Sequence, residues 1–429
     1  MKYSIPYGKE TVSFDTHDNM VVFDGKMKSI PAVKDFDAEL LSCLDKPIGS
    51  KPLAELAKGK QDVLLLVEDI TRDTPLTRIL PVVVNYLNRA GVADKNISFM
   101  TAPGTHRVMT EAELHEKLGD EIMERFAIYQ HDATKKEDIA DLGVINTAGY
   151  ELPVHINKRV LAADLLIGVG NIVPHSDAGF SGGAKIVQPG VCDFVTTQAT
   201  HRGAGLCHDI PLGMKSGNPC RIGIDAVGGL VHLAFIINTV KNYAGEVAGF
   251  FCGDYLEAHH AGVECAIKSF SIEMTELCDV VVASSSPDDI DYWQAIKGLT
   301  AAYFAVKKGG AVILAAPCRE GLVHNHPLYA HWLAQPTEKV QQAILAASPY
   351  DMDTDVVAAV VALGSRRVLE RARVYMMSGG LTADEIRKMN YIPVDDVQQA
   401  IEMELARNPQ ATFGILPQGG ISLPVLKNG

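Results

Sequence analysis

The sequence lacks the paired cysteines that would indicate a zinc site or a disulfide-stapled fold. Its eight cysteines are scattered, with no C-x-x-C pair among them, so we expect free thiols in a reducing compartment. The N-terminal stretch MKYSIPYGKETVSF has no apolar core of a signal peptide, and the apolar runs stop well short of the ~20 residues that span a bilayer. These absences predict a cytoplasmic protein with no membrane-spanning segment.

Positive charge is also scarce. The chain has 39 Lys and Arg against 52 Asp and Glu, a formal net charge of −13, which disfavours nucleic acids and anionic membranes as partners because both repel it. The remaining composition is ordinary, with 47% hydrophobic and 21% charged residues, and it excludes wholesale disorder. A chain of 429 residues is long enough for two large domains.

Short apolar runs of strand length alternate with helix-length segments. Runs at 63–67, 97–100 and 164–169 are each followed by a polar loop and then by helical segments. This alternation is typical of α/β layering around mostly parallel sheets. Thr110 and Glu113 have the spacing of a capping box and predict the start of the helix after the second loop.

A second series of strands begins at 280–283. We therefore predict two α/β domains with mostly parallel sheets and an active-site cleft between them. The larger one spans residues 1–272 and carries the catalytic and cofactor-binding loops, and a smaller one of about four strands spans residues 273–429.

Chemically active side chains are concentrated on the three loops that follow the first-domain strands. Ligands of open parallel sheets bind just past the carboxyl ends of strands, where such loops converge. A single loop histidine or arginine is more often solvated or a helix cap, but three loops at equivalent strand ends favour one shared site. The residues concerned are Asp69, Arg72, His106, Arg107, His175, Asp177 and Lys185.

The glycine-rich segment before Lys185 resembles a phosphate loop only superficially. A Walker A motif requires Gly and then Lys-Ser or Lys-Thr at its end, whereas here Ala184 precedes Lys185 and Ile186 follows it. The run Gly168-Val-Gly170 begins like a dinucleotide fingerprint but lacks the third glycine.

Gly182 and Gly183 either make a simple tight turn or let the backbone approach a bound anion. Lys185 is correspondingly either a snorkelling surface lysine or a group that meets a ligand or bonds to it covalently.

Three further residues extend the predicted site. His201 has the chemistry of a ligand for Ni, Zn or Fe, although its position equally suits a helix-end histidine. Gln294 and Lys297 share one face of a second-domain helix, where Lys297 either pairs with Asp291 on the surface or faces Arg72 across the cleft. Two cations facing one pocket would suit a small carboxylate.

Taken in order, these motifs resemble the nickel-dependent lactate racemase family. The resemblance runs from about residue 10 to the last strand, and its most specific part is the stretch from Pro174-His175 to Pro189-Gly190. The motifs that carry it are Asp69-x-x-Arg72, Gly104-Thr105-His106-Arg107, Pro174-His175-x-x-Ala178-Gly179-x-Ser181-Gly182-Gly183-Ala184-Lys185-x-x-x-Pro189-Gly190, His201 and Gln294-x-x-Lys297-Gly298.

The resemblance implies a cofactor and roles for these residues. The family's cofactor is a nickel pincer nucleotide, made by separate cofactor-biosynthesis proteins. The implied roles are covalent attachment at Lys185; cofactor contacts from Asp69, Asp177, Gly182 and Gly183; nickel coordination by His201; acid/base catalysis by His106 and His175; and substrate binding by Arg72, Trp293, Gln294 and Lys297.

The implied reaction is inversion at C2 of a 2-hydroxy acid. The Cα–H of such a substrate is weakly acidic, so removing hydride and returning it to the opposite face avoids a carbanion, and two bases serve the two faces. The sequence departs from the lactate enzyme at Trp293, where we expect tyrosine, and at Asp177, where we expect a small uncharged residue. The tryptophan expected against the cofactor is also missing, because Trp332 lies too early in the second domain.

These departures leave the substrate open between lactate and a larger 2-hydroxy or sugar acid. Two other functions remain: an NAD-dependent 2-hydroxyacid dehydrogenase, and a non-catalytic protein that binds small acids.

Overall fold

The computed structural model describes residues 1–17, 20–25 and 30–427. Within these residues the chain forms twenty strands: β1 Lys2–Tyr7, β2 Glu10–Asp15, β3 Val21–Asp24, β4 Val63–Val67, β5 Ile97–Thr101, β6 Ala127–Gln130, β7 Ile139–Thr147, β8 Tyr150–Asn157, β9 Leu165–Asn171, β10 Pro174–His175, β11 Gly179–Phe180, β12 Phe235–Lys241, β13 Val247–Gly253, β14 Ser271–Met274, β15 Cys278–Ser284, β16 Val306–Ala315, β17 Ala372–Met377, β18 Ile392–Pro393, β19 Phe413–Leu416 and β20 Leu423–Leu426.

The same described residues contain fifteen α-helices: α1 Phe36–Asp45, α2 Leu53–Ala57, α3 Leu76–Arg89, α4 Glu111–Leu118, α5 Asp120–Arg125, α6 Lys158–Ala162, α7 Phe194–Gly205, α8 Pro219–Leu230, α9 Glu257–Phe270, α10 Tyr292–Tyr303, α11 Tyr329–Ala334, α12 Thr337–Ala346, α13 Val356–Arg371, α14 Ala383–Lys388 and α15 Val397–Arg407. Across these ranges, none of the helices combines the length and the apolar character needed to cross a bilayer.

The first large sheet has the strand order β13-β12-β9-β4-β5-β6. All neighbours pair in parallel except β12 and β13. Its central strands β9, β4 and β5 are the three that the sequence predicts, and β4 is buried along its whole length, as expected for a parallel strand covered on both faces. Because these three strands are adjacent and parallel, the loops at their carboxyl ends lie side by side.

The second large sheet has the order β18-β17-β16-β15-β19-β3, with every pair parallel. Four of its strands, β15, β16, β17 and β19, are the four expected from the sequence. The edge strand β3 comes from the start of the chain, and the β1–β2 hairpin buries Ile5 and Phe14 against this sheet. The N-terminal segment, assigned by sequence to the larger domain, thus packs on the smaller one. The junction at 272/273 remains a prediction.

Two capped helix starts, those of α4 and α10, fix the positions of residues next to or in the predicted site. The capping box of Thr110 and Glu113 is present at the start of α4. Asp291 caps α10 by accepting a hydrogen bond from the Gln294 backbone N–H at 2.8 Å. Since α10 begins at the carboxyl end of β15, its first turns point Gln294 and Lys297 at the loops of the first sheet.

Candidate active site

One cleft between the two sheets collects nearly all of the predicted site residues. It encloses about 960 Å³, including the part open to solvent. The predicted residues that line it are Asp69, Arg72, His106, His175, Asp177, Gly182, Lys185, His201, Trp293, Gln294 and Lys297. Gly183 does not line the cleft but lies behind it, where an added Cβ would come within 2.9 Å of the His259 ring. Arg107 turns away and pairs with Glu113 and Glu320.

His106 forms a dyad with a buried carboxylate. Its Nδ1 lies 2.8 Å from Asp69 Oδ2, and its Nε2 lies 3.1 Å from the amide nitrogen of Gln294. Burial tends to raise the pKa of Asp69, but the His106 and Arg72 charges and the hydrogen bonds outweigh burial and lower it. The ionised carboxylate accepts a hydrogen bond from Nδ1–H, so the lone pair is on Nε2, where it accepts the Gln294 amide N–H. Asp69, predicted to seat a cofactor, therefore contacts the histidine directly.

His175 has the opposite arrangement. Its Nδ1 accepts hydrogen bonds from the backbone N–H groups of Asp177 at 3.1 Å and Ala178 at 3.3 Å. The ring proton is therefore on Nε2. Burial, followed by the nearby charges of Lys185 and Lys297, lowers the pKa of His175 well below its ordinary value. His175 is thus a neutral imidazole that presents an N–H group.

Arg72, Gln294 and Lys297 meet across the interdomain gap and form what we call the carboxylate clamp. The Gln294 Oε1 atom accepts from Arg72 Nη1 at 3.3 Å and from Lys297 Nζ at 2.9 Å. Burial and the Arg72 charge lower the pKa of Lys297 to about 8, although Asp288, 3.1 Å away, opposes them. The surface pair of Lys297 with Asp291 does not form, since Asp291 caps α10. Two partly buried cations that share one amide suit an anion.

Lys185 extends into the same cleft from a short 3₁₀ turn, Gly183–Ile186. Within the described part of the chain its ammonium group has no hydrogen-bond or ion-pair partner. Burial, followed by the Arg72 and Lys297 charges, lowers the pKa of Lys185 to about 7. A large fraction of the amine is therefore neutral and nucleophilic near neutral pH.

Residues missed by sequence reasoning hold the loop before Lys185. The Arg221 guanidinium donates to the carbonyls of Phe180 and Gly182, and His259 Nε2 donates to the Ser181 carbonyl at 2.9 Å. Gly182 has φ +77°, a conformation that favours glycine, and an added Cβ would lie 2.6 Å from the Ile172 side chain. No spacing signal links Arg221 or His259 to this loop, because both are dozens of residues away in sequence.

Sequence reasoning also missed a buried lysine that contacts the backbone of the carboxylate clamp. Lys117 on α4 donates a hydrogen bond to the Arg72 carbonyl and faces the buried Glu68 carboxyl. Burial lowers the pKa of Lys117 and raises that of Glu68. The sequence signals only an amphipathic helix at this position.

His201 lies on α7 with its Nδ1 2.9 Å from the Thr197 carbonyl, so Nδ1 donates and Nε2 is left to face the cleft. Burial lowers the pKa of His201, which keeps the ring neutral. Over the residues with described positions, no cluster of three or more His, Cys, Asp or Glu side chains could hold a metal ion. A metal at His201 would therefore need ligands from a bound group. The buried Thr197 hydroxyl beside it has no hydrogen-bond partner among the residues that the structure describes.

The second-domain wall is part aromatic and part aliphatic. Trp293 stacks on His326, with ring centroids 4.3 Å apart and an interplanar angle of 3°. Trp332 donates to the Thr354 carbonyl and does not line the cleft. The remaining wall is formed by Ile296, Val357 and Val361.

Comparison with known proteins identifies the family. Residues 7–209 match the family described as "Lactate racemase N-terminal domain", and residues 274–425 match "Lactate racemase C-terminal domain". A lactate racemase from Lactiplantibacillus plantarum is 32% identical over 426 residues, 97% of both chains. The chain belongs to the lactate racemase family.

Structural comparison agrees. The lactate racemase from Thermoanaerobacterium thermosaccharolyticum is 27% identical over 97% of each chain, and the structure of its apoprotein matches all of both chains with a TM-score of 0.87 at 26% identity. A Thermotoga maritima protein covers 91% of this chain with a TM-score of 0.72 at 21% identity and shares the fold. The family resemblance and the two-domain α/β fold are confirmed, and this lactate racemase family member is an isomerase of the racemase type.

Proposed function

We propose that the protein inverts C2 of a 2-hydroxy acid, either lactate or a larger 2-hydroxy or sugar acid, by hydride transfer. The observation that carries this proposal is the convergence of the carboxylate clamp and two imidazoles on one cleft in a lactate racemase family chain. The clamp binds the carboxylate and leaves the neighbouring carbinol carbon between the two histidine loops. Fixing the reacting carbon in this way lowers the entropic part of the barrier.

The cleft fits a nickel pincer nucleotide attached to Lys185. The Lys185 amine and the Thr197 hydroxyl are polar groups without partners in the described ranges, and His201 turns Nε2 to the same space. A single imidazole suits a metal whose other ligands belong to the bound group. When bound, this group would supply a reversible hydride acceptor, so that the substrate would need no carbanion.

The two histidines handle the hydroxyl proton. His106 Nε2 takes it from a hydroxyl on its side of the cleft, and Asp69 stabilises the imidazolium that forms. His175 donates a hydrogen bond from Nε2 to an oxygen on its side. To take up a proton, the His175 ring must turn and release the backbone N–H groups from Nδ1, because its only lone pair is on that atom.

Ile296, Val357, Val361 and Trp293 line the cleft. They offer apolar contacts to the side chain that an acid larger than lactate carries on C2. We also propose that cofactor-biosynthesis proteins load the chain in the cytoplasm, where its eight free cysteines would stay reduced.

The test is a chiral product screen with protein that is co-produced with the cofactor-making enzymes. Each pure enantiomer or epimer in a panel of 2-hydroxy acids is incubated with the loaded chain. Conversion to the opposite configuration at C2, without accumulation of keto acid, is expected for at least one acid. Stoichiometric keto acid and NADH would instead identify a dehydrogenase and contradict the proposal.

A further inference from the structure

The amine of Lys185 is surrounded by groups that would recognise a 2-oxo acid. It faces the carboxylate clamp, it lines the same cleft as His106 and His175, and no described side chain pairs with it. We propose that in the cofactor-free chain Lys185 forms a reversible Schiff base with 2-oxo acids whose carboxylate is held by Arg72 and Lys297. This inference rests on the proposed function, because it uses the same clamp and the oxidised form of the same substrate class.

The clamp and the amine share one space. Arg72 and Lys297 are the two cations that, after burial, most depress the pKa of Lys185, so their charges act on its amine. In a 2-oxo acid the carboxylate is bonded directly to the keto carbon. Holding the carboxylate at the clamp therefore brings the electrophilic carbon to the neighbouring lysine.

The amine is also in a reactive form. Lysines become nucleophiles when they are desolvated or lie beside other cations, and Lys185 meets both conditions with a pKa of about 7. The other cleft lysine, Lys297, is already bound to Gln294 and Asp288. Reaction at Lys185 is therefore favoured over reaction at Lys297.

The chemistry balances without an oxidant or a reductant. The Lys185 nitrogen forms a bond to the keto carbon and loses one proton, while the carbonyl oxygen gains one, which gives a carbinolamine. The C–O bond then breaks as the hydroxyl oxygen takes up a second proton and leaves as water, which gives a protonated imine. His175 Nε2–H is available to hydrogen-bond the oxygen, and His106 Nε2 takes the proton that the attacking amine loses once the bound acid displaces the Gln294 amide from it. Hydrolysis reverses each step.

Such an adduct would occupy the nitrogen that the cofactor requires. A cofactor-free chain exposed to 2-oxo acid would accept the cofactor more slowly until the imine hydrolyses. The rate of cofactor attachment would thus depend on the concentration of 2-oxo acid.

Borohydride trapping tests the proposal. Chain produced without the cofactor-making enzymes is incubated with pyruvate, reduced with borohydride and mapped by peptide mass spectrometry. We expect the reduced pyruvate adduct at Lys185, no adduct at that position in Lys185→Met, and unchanged labelling of Lys185 in Lys215→Met, whose lysine is an exposed partner of Glu264. Acetone, which lacks the carboxylate, and the Lys297→Met variant should each reduce trapping at Lys185 by ~10-fold or more.

Two results would overturn the proposal. One is wild-type labelling spread over surface lysines with no excess at Lys185, and the other is equal trapping of acetone and pyruvate at Lys185. The outcomes separate this inference from the proposed function. If the loaded chain inverts 2-hydroxy acids but the cofactor-free chain traps no 2-oxo acid, only the adduct proposal is refuted. If the cofactor-free chain traps the 2-oxo acid but the loaded chain inverts nothing, only the racemase proposal is refuted.

Discussion

His106 and His175 lie on loops of the same sheet and line the same cleft, yet the groups around their rings differ in charge and in hydrogen bonding. His106 donates from Nδ1 to an ionised carboxylate, which places the lone pair of the ring on Nε2. His175 accepts two backbone N–H bonds at Nδ1 and faces three cations, which favour the neutral ring. The comparison teaches that surroundings, more than residue type, set the role of a histidine.

Removing the lysine on the His175 side should have the largest effect. Lys185→Ala is expected to abolish both cofactor attachment and racemisation, because no other described cleft lysine has an unpaired amine. Intact mass and chiral product analysis of co-produced protein measure the two losses. Retention of a covalent cofactor in this variant would refute the assignment of Lys185.

Removing either ring should nearly eliminate turnover. His106→Ala and His175→Ala are each expected to lower kcat by ~10²- to 10⁴-fold while circular dichroism and the melting temperature stay close to those of the wild type. The reason is that the proposed mechanism uses one ring on each side of the carbinol carbon. A wild-type rate in either variant contradicts the assignment of two histidines.

Asp69→Asn tests the carboxylate partner that His106 has and His175 lacks. The change removes the negative charge and the acceptor that fix the His106 tautomer, so a loss in kcat of at least ~100-fold is expected. The matched control is Asp120→Asn, which removes the same charge from the exposed His115–Asp120 pair outside the cleft. Equal losses in the two variants would show that the loss in Asp69→Asn does not come through His106.

His175→Gln should be milder than His175→Ala. Glutamine keeps an N–H donor but cannot take up a proton, so it should retain ~10-fold more activity than alanine if the His175 N–H group acts mainly as a donor. Steady-state rates measured from each enantiomer provide the comparison. If glutamine is as inactive as alanine, His175 exchanges a proton during turnover and its ring must turn.

The smallest effect concerns the clamp. Lys297 is charged below its pKa of about 8 and neutral above it. As the pH rises through that value, the substrate carboxylate loses one of its two cationic contacts, and KM should therefore rise a few-fold. Lys297→Arg stays charged over the range and should give a flatter KM profile. If KM rises by the same factor in the wild type and in Lys297→Arg, the titrating group is not Lys297.

Much of the site could be predicted because each of its residues lies in a short local pattern, either a loop after a strand or one face of a helix. Parallel strands and their loops put Arg72, His106 and His175 at one sheet edge, and the helical spacing of Gln294 and Lys297 put both on one face. The partners could not be predicted. Arg221 and His259 contact the Lys185 loop only through long-range packing, which leaves no periodic signal.

The fold shows the same division. Apolar runs followed by helices predicted the central strands of both sheets, because burial on two faces imposes a continuous apolar pattern. The edge strand β3 was missed, since a short strand that joins the second sheet from the start of the chain leaves no local record of its partner. Likewise, the sequence carries no local signal that Asp69 pairs with His106.

The central claim is that the hydrogen on C2 leaves as hydride and returns to the same carbon. It is tested most directly by racemising a single enantiomer with the loaded enzyme in deuterated water and measuring deuterium at C2 of the product by NMR and mass spectrometry. The account predicts inversion with C2 still carrying its original hydrogen. Deuterium at C2 that accumulates in step with inversion would contradict it.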